Sequence, residues 1–212
     1  MKKVILLGDS IRLGYEKYVR EALSGVCEVY SPEDNCKFAE NLLRYASDWK
    51  ARGNFPTDAD LVYWNAGLWD VLHLFGDVAL TPFAAYGEFI ARIDRRLRFL
   101  YPQAKMVFAC STSIVEEKYG ENFKRYNYEI EAYNAKAKEM LQGTGTIIHD
   151  LYAVSVAASP ECRSDATHFN TTAGVAWMGQ AVTDVICSTL GITAASVSDT
   201  NPDEIDEKKL GF

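Results

Sequence analysis

Short apolar runs alternate along this chain with longer stretches in which apolar side chains return every three or four residues. Residues 4–7 form a continuous apolar run, which predicts a strand buried on both faces. Tyr15, Tyr18, Val19, Ala22 and Leu23 then recur at helical spacing, and Gly25 closes that helix. A second strand is predicted over 26–30. Phe38, Leu42, Ala46 and Trp49 mark a second helix, which stops before the turn-rich segment 52–59. Residues 61–64 make a third strand. Phe83, Tyr86, Ile90, Ile93, Leu97 and Leu100 form the clearest amphipathic helix. A fourth strand (106–109), a helix marked by Tyr126, Ile130, Tyr133, Ala137 and Met140, and a fifth strand (146–148) follow. Val175, Met178, Val182, Val185 and Ile186 mark the last helix.

Five apolar strands separated by helices imply a parallel sheet covered on both faces. Right-handed crossovers then give an α/β, flavodoxin-like three-layer sandwich with strand order 2-1-3-4-5. Residues 1–191 read as one domain. Residues 192–212 are polar, acidic and weakly periodic, and read as a surface tail or a partly disordered one. In this order the first and third strands are neighbours at the topological switch point, where ligands bind beyond the carboxyl ends of the strands. The loops at Ser10 and at 65–70 converge there.

Composition narrows the function classes. The 212 residues carry a net charge of −7, and their 22 Lys and Arg are scattered, which argues against nucleic acid or an anionic membrane surface as the main partner. Cys27, Cys36, Cys110, Cys162 and Cys187 form no C-x-x-C pair, so no metal cluster is expected, and their odd number fits a reducing compartment. Cys27 and Cys110 read as small core hydrophobes. Cys36 and Cys162 fall in predicted loops near the switch point and are open to exposure. No apolar run approaches the ~18 residues of a membrane span. The apolar stretch after Met1-Lys2-Lys3 is too short for a signal peptide, and Gly8-Asp9 interrupts it. The cytoplasm is the default location; a secreted or periplasmic one requires a signal peptide ahead of this sequence.

The candidate chemistry lies at the two ends of the chain. A serine hydroxyl is a weak nucleophile at neutral pH. It needs an imidazole to take its proton and a carboxylate to orient that imidazole. Gly8-Asp9-Ser10 follows the first strand, and Asp165-Ala166-Thr167-His168 precedes the last helix, with spacing that lets Asp165 and His168 meet through a tight turn. Of the three histidines, His73 reads as a solvated loop or helix residue. His149, beside Asp150, reads as a hydrogen-bonded structural one. His168 alone would be an ordinary surface histidine; paired with Asp165 and Ser10 it is the candidate base. A Gly-Asp-Ser turn can instead cap a helix or cradle a phosphate. It lacks the repeated glycines of a nucleotide-binding fingerprint. Asp9 reads as a structural residue tying the loop.

Residues 4–10, the stretch Asn65-Ala66-Gly67-Leu68-Trp69-Asp70 and the Asp165–His168 turn together resemble the SGNH (GDSL-type) hydrolase superfamily, over nearly the whole chain except the tail. The resemblance implies a flavodoxin-like fold and metal-independent, cofactor-free ester hydrolysis, with Ser10, Asp165 and His168 as the triad. Two blocks depart from the pattern. The family's third block reads Gly-x-Asn-Asp, its Asn donating to the oxyanion; here Trp69 stands in that place. The second block supplies a glycine N–H after the second strand; here residues 31–36 contain no glycine. The oxyanion donors are therefore expected at the Ser10 N–H and at Asn35, with Asn65 behind it and Gly67 in the matching third block. Trp69 is expected at the pocket wall.

Arg12 reads as a solvated helix-start residue in preference to a substrate contact, and Tyr15 and Trp64 as core or cover residues. Ser111, Thr112 and Ser113 are expected to line the same end of the sheet without chemistry. The expected function is a serine esterase acting on a small-molecule or glycan ester, with O-acetyl groups on carbohydrate foremost. Lysophospholipids and thioesters are the alternatives within the superfamily. A non-catalytic glycan-binding module and a phosphate binder at the Gly8–Ser10 turn are the rivals outside it.

Overall fold

Seven strands and six helices follow one another in the computed structural model, which describes residues 1–197. The strands are β1 (Lys2–Leu7), β2 (Cys27–Tyr30), β3 (Leu61–Trp64), β4 (His73–Leu74), β5 (Lys105–Ala109), β6 (Phe123–Lys124) and β7 (Ile147–His149). The helices are α1 (Ser10–Ala22), α2 (Ala39–Arg52), α3 (Phe83–Leu100), α4 (Asn127–Leu141), α5 (Leu151–Val156) and α6 (Thr172–Leu190). Five strands form one parallel sheet in the order β2-β1-β3-β5-β7. Counted over those five alone, this is the expected 2-1-3-4-5.

The sheet is apolar because both of its faces are covered. Val4, Ile5, Leu6 and Leu7 are sealed from solvent, as are all four residues of β3. One layer packs α1 and α5 on α6; the other packs α2 and α4 on α3. Each helix buries one stripe. Tyr15, Tyr18, Val19 and Ala22 face inward from α1, and Tyr86, Ile90, Ile93 and Leu97 from α3. The register pairs Leu7 with Trp64 and Trp64 with Phe108, so β1, β3 and β5 end at one level. The loops that follow them share one edge of the sheet.

Several features carry no periodic signal. β4 and β6 form a separate antiparallel ribbon of two residues a side. The six-residue α5 and two single 3-10 turns (Glu116–Lys118 and Pro160–Cys162) are too short for a pattern to show. The last sheet strand starts at Ile147, one residue later than expected, because Thr146 gives its hydroxyl to Asp94 at 2.5 Å and its N–H to Thr144.

After α6, Gly191 takes the left-handed conformation (φ 68°) that ends the helix. The chain then turns back over α1, where the Ala195 N–H bonds the Ala22 carbonyl and Ala194 and Val197 pack by Tyr18 and Val175. The rest of the expected tail, 198–212, lies outside the described residues. Among the described residues, no helix is long and apolar enough to cross a membrane.

Candidate active site

Ser10 stands at the first position of α1, immediately beyond the end of β1. Asp9 caps the helix, its Oδ1 accepting the Ile11 N–H at 3.0 Å, and the cap fixes where the helix starts. Gly8 is required here. A Cβ on it would overlap the Asn65 side-chain oxygen and lie 2.9 Å from the Arg12 Cβ. Asp9 is fully buried. Burial raises its carboxyl above the ordinary range, against the opposing pull of the Ile11 N–H, the neighbouring Asn65 amide and the charges of His168 and Arg125.

Asp165 and His168 meet through a turn that the carboxylate itself organises. Its Oδ1 accepts the Thr167 N–H at 2.6 Å and the His168 N–H at 2.7 Å. Its Oδ2 lies 2.8 Å from His168 Nδ1. His168 Nε2 lies 2.8 Å from Ser10 Oγ. Since Asp165 can only accept when ionised, Nδ1 carries the proton and Nε2 faces the serine hydroxyl as acceptor. Partial burial alone would raise the Asp165 carboxyl. The bond and charge of His168, together with the two N–H donors, outweigh it and pull the pKa down to about 2. Ser10 and His168 are buried, and Asp165 is half exposed. Two further bonds hold the loop, from the Ser164 N–H to the His168 carbonyl (3.0 Å) and from the Val115 N–H to the Ala166 carbonyl (2.8 Å).

The other expected positions fall differently. Asn35 lies in the segment that crosses Gly8, where the Cys36 N–H bonds the Gly8 carbonyl at 3.1 Å. Its own side-chain oxygen accepts the Lys37 N–H at 2.8 Å, which orients the amide. The Asn65 side chain packs onto Gly8 beside Asp9, so it braces the serine loop. Gly67 has φ +152°, and a side chain there would collide with Ser111 Oγ; it shapes the third-block turn, whose carbonyl accepts the Val71 N–H. Trp69 is half-buried, with the Lys37 ammonium 5.9 Å from its ring centre, so it joins the third-block loop to the Asn35 segment.

Four readings of single residues need correction. Arg12 is not solvated. It is buried and donates to the Pro32 and Asp34 carbonyls (3.0 and 2.6 Å) and to Glu16, tying α1 to the 32–34 loop. His73 lies in the β4 strand and is only partly exposed, with Nε2 2.6 Å from Glu129 and Nδ1 2.9 Å from the Asp77 carbonyl. Cys36 and Cys162 are both buried, and burial pushes the Cys36 thiol up to about 11. His149 does bond Tyr63 (2.7 Å), as a structural histidine would, and Tyr15 and Trp64 are core residues. Ser111 and Ser113 are held by Asn134 and Ser155.

Sequence reasoning missed one group beside the site. Arg125, directly after β6, is buried and donates through Nε to the Leu68 carbonyl (2.5 Å) and through Nη1 to the Tyr119 hydroxyl (3.1 Å). Tyr119 in turn exchanges a 2.5 Å bond with Thr167, the neighbour of His168. This line of bonds links the third-block loop to the Asp165–His168 loop. A single arginine between two short polar segments gives no pattern by which it could have been found.

No family model matches the sequence, and no curated protein does. Solved structures do match the fold. A lipase/acylhydrolase from Enterococcus faecalis superposes with a TM-score of 0.68 at 17% identity, over 93% of this chain and 100% of that one. A carbohydrate esterase family 3 protein from Talaromyces cellulolyticus gives 0.68 at 16% identity, over 91% and 100%. A GDSL-like lipase from Bacteroides thetaiotaomicron gives 0.61 at 15%, over 88% of each chain. At such identities the likeness is one of fold, the α/β/α sandwich of the SGNH (GDSL-type) hydrolases.

Proposed function

We propose that this chain, built on the SGNH-hydrolase fold, is a serine esterase. The observation that carries the reading is the unbroken line from Asp165 Oδ2 through the His168 ring to Ser10 Oγ, with both contacts at 2.8 Å. His168 Nε2 takes the Ser10 proton as Oγ attacks the ester carbonyl. Asp165, with a pKa of about 2, stays ionised at neutral pH and stabilises the imidazolium that forms. The same imidazolium protonates the leaving alcohol, and a water activated by His168 then releases the acid from Ser10. No step calls for a metal or a cofactor.

The tetrahedral oxyanion needs donors in place before the charge develops. Ser10 begins α1, and a first-turn N–H has no acceptor within its own helix. The positive end of the helix adds to it. Asn35 supplies the second donor in this reading, since the third block offers Trp69 where an asparagine would stand. Loss of one such donor costs about 3 kcal/mol of transition-state stabilisation.

For the substrate we propose a short acyl ester, foremost an O-acetyl group on a carbohydrate, a choice supported by the carbohydrate esterase among the structural neighbours. Hydrolysis of 4-nitrophenyl acetate, butyrate and octanoate by the wild type and by Ser10→Ala tests both parts. Turnover abolished in the variant and falling with chain length supports the reading. Octanoate as the best substrate redirects it to a lipid-like ester. Trp69 in the asparagine position favours one rival, a non-catalytic glycan-binding module, which would turn over none of the three.

A further inference from the structure

Arg125 is a buried cation that no carboxylate of the described residues answers with an ion pair. Its guanidinium is nearly covered, yet among the described residues it makes no ion pair. Its two protein bonds go to neutral acceptors, the Leu68 carbonyl and the Tyr119 hydroxyl. The flat faces of Tyr119 and Phe123 lie 5.9 and 5.1 Å from its central carbon, which fixes the plane of the group. The remaining amine, Nη2, donates to no described residue, and it is not among the buried polar atoms sealed away without a partner. Nη2 is therefore not wholly sealed from solvent. An unpaired charge in so covered a place is costly unless an anion meets it.

Its location says where that anion would be. Arg125 holds the third-block loop at Leu68, and through Tyr119 and Thr167 it touches the loop that carries His168. Both loops adjoin Ser10: the first follows β3, which pairs with the β1 strand that leads into Ser10, and the second carries His168, bonded to Ser10 Oγ. Burial raises the Asp9 carboxyl, and Arg125 is one of the charges that oppose this, so its field reaches the residue next to Ser10.

We propose that Arg125 Nη2 receives a carboxylate carried by the ester substrate, so that the enzyme prefers esters bearing a negative charge on the acyl or the alcohol half. The proposal rests on the esterase reading. A guanidinium already oriented by a carbonyl, a hydroxyl and two aromatic faces loses little freedom when the anion arrives.

Two pairs of esters test it and tell the halves apart. Mono-4-nitrophenyl succinate against 4-nitrophenyl butyrate places the charge on the acyl half. O-acetylated methyl glucuronate against O-acetylated methyl glucoside places it on the alcohol half. In one pair the wild type should favour the charged member in kcat/KM by roughly 10- to 100-fold, the usual range for a charge-assisted bond. Arg125→Gln should lose that preference, its kcat/KM falling at least about tenfold further on the charged member of the pair than on the neutral one, and Arg125→Lys should keep part of it. Equal losses on both members of each pair, a preference that survives Arg125→Gln, or no preference in the wild type would overturn the proposal.

Should Arg125→Gln fail to fold, wild-type inhibition decides. Free succinate or glucuronate should compete with the neutral ester, and their methyl esters should not; equal inhibition by acid and methyl ester would overturn the assignment. If no ester is turned over at all, the esterase reading fails. Calorimetric titration with succinate and glucuronate still reads the anion site. Heat with wild type that is absent with Arg125→Gln would support the site, and none with wild type would reject it.

Discussion

Asp165 divides two tasks between its two oxygens. Oδ1 gathers two backbone N–H groups and so makes the turn, and Oδ2 holds the His168 ring. Asp165→Asn tests the division. An amide oxygen can still accept the backbone donors, so the turn should survive, but an NH2 facing Nδ1 would demand the wrong tautomer. Stability at neutral pH should fall, because the ionised carboxylate with its depressed pKa contributes to it, while kcat on 4-nitrophenyl acetate falls by roughly a thousandfold or more; a kcat loss under tenfold would count against Asp165 as the orienting residue. This part of the site was legible in the sequence because its contacts are local. Asp165 and His168 are three residues apart, and a strand followed by Gly-Asp-Ser announces a turn. Arg125, Tyr119 and Thr167 were not legible, because their bonds span up to 57 residues and no spacing encodes them. Arg12 misled for a related reason: the carbonyls that bury it come from a loop 20 to 22 residues away.

At the scale of the element, the start of α6 decides where His168 can stand. Thr171 caps the helix through the Gly174 N–H at 3.0 Å. Gly174 has no side chain because a Cβ there would collide with the backbone carbonyls of Cys162 and Phe169. Backbone cannot yield as a flexible side chain can. Gly174→Ala should therefore push the 162–169 loop off the helix, destabilising the fold by about 2 kcal/mol and cutting turnover at least tenfold. Urea denaturation beside esterase kinetics reads both; unchanged stability with full activity would mean that the loop is not seated on α6.

The neighbouring case is α2. Its first N–H, from Ala39, is met by both carboxylate oxygens of Asp70 from the third-block loop, each at 3.1 Å, while its own N-cap, Phe38, offers no side-chain cap. Helices and sheet strands were legible because a buried stripe repeats every three or four residues and a buried strand is a continuous apolar run. The β4–β6 ribbon and the cap from Asp70 were not, since two-residue strands and caps supplied across the fold leave no repeat.

Across the whole molecule, two buried groups give stability opposite dependences on pH. Burial raises the Asp70 carboxyl to about 7. The stability it contributes is full below the ordinary carboxylate value of ~4 and is lost as pH rises through about 7. Burial lowers His149 to about 4, with the nearby Asp150 charge opposing. Its contribution is full above the ordinary histidine value of ~6.5 and is lost as pH falls towards 4. Between pH 4 and 6.5 the two slopes oppose each other and largely cancel. Each substitution should unmask the other group. Relative to wild type, Asp70→Asn should become more stable as pH rises through this window and His149→Gln less stable, each by up to ~1.4 kcal/mol per pH unit. Urea denaturation at pH 4.5, 5.5 and 6.5 measures the differences; parallel profiles for all three proteins would contradict both assignments. The sheet order was legible at this scale because handedness and alternation leave few ways to wind five strands. Two buried ionisable groups in such a sheet are invisible until the packing is known.

The most direct measurement of the central claim is intact-mass detection of fluorophosphonate labelling in the wild type, Ser10→Ala and His168→Ala. An activated serine attacks phosphorus without any need for the natural ester. The account predicts one adduct on the wild type, mapped to Ser10, none on Ser10→Ala, and labelling slowed by orders of magnitude in His168→Ala. A wild type that takes no adduct, or one whose labelling survives Ser10→Ala, would contradict it.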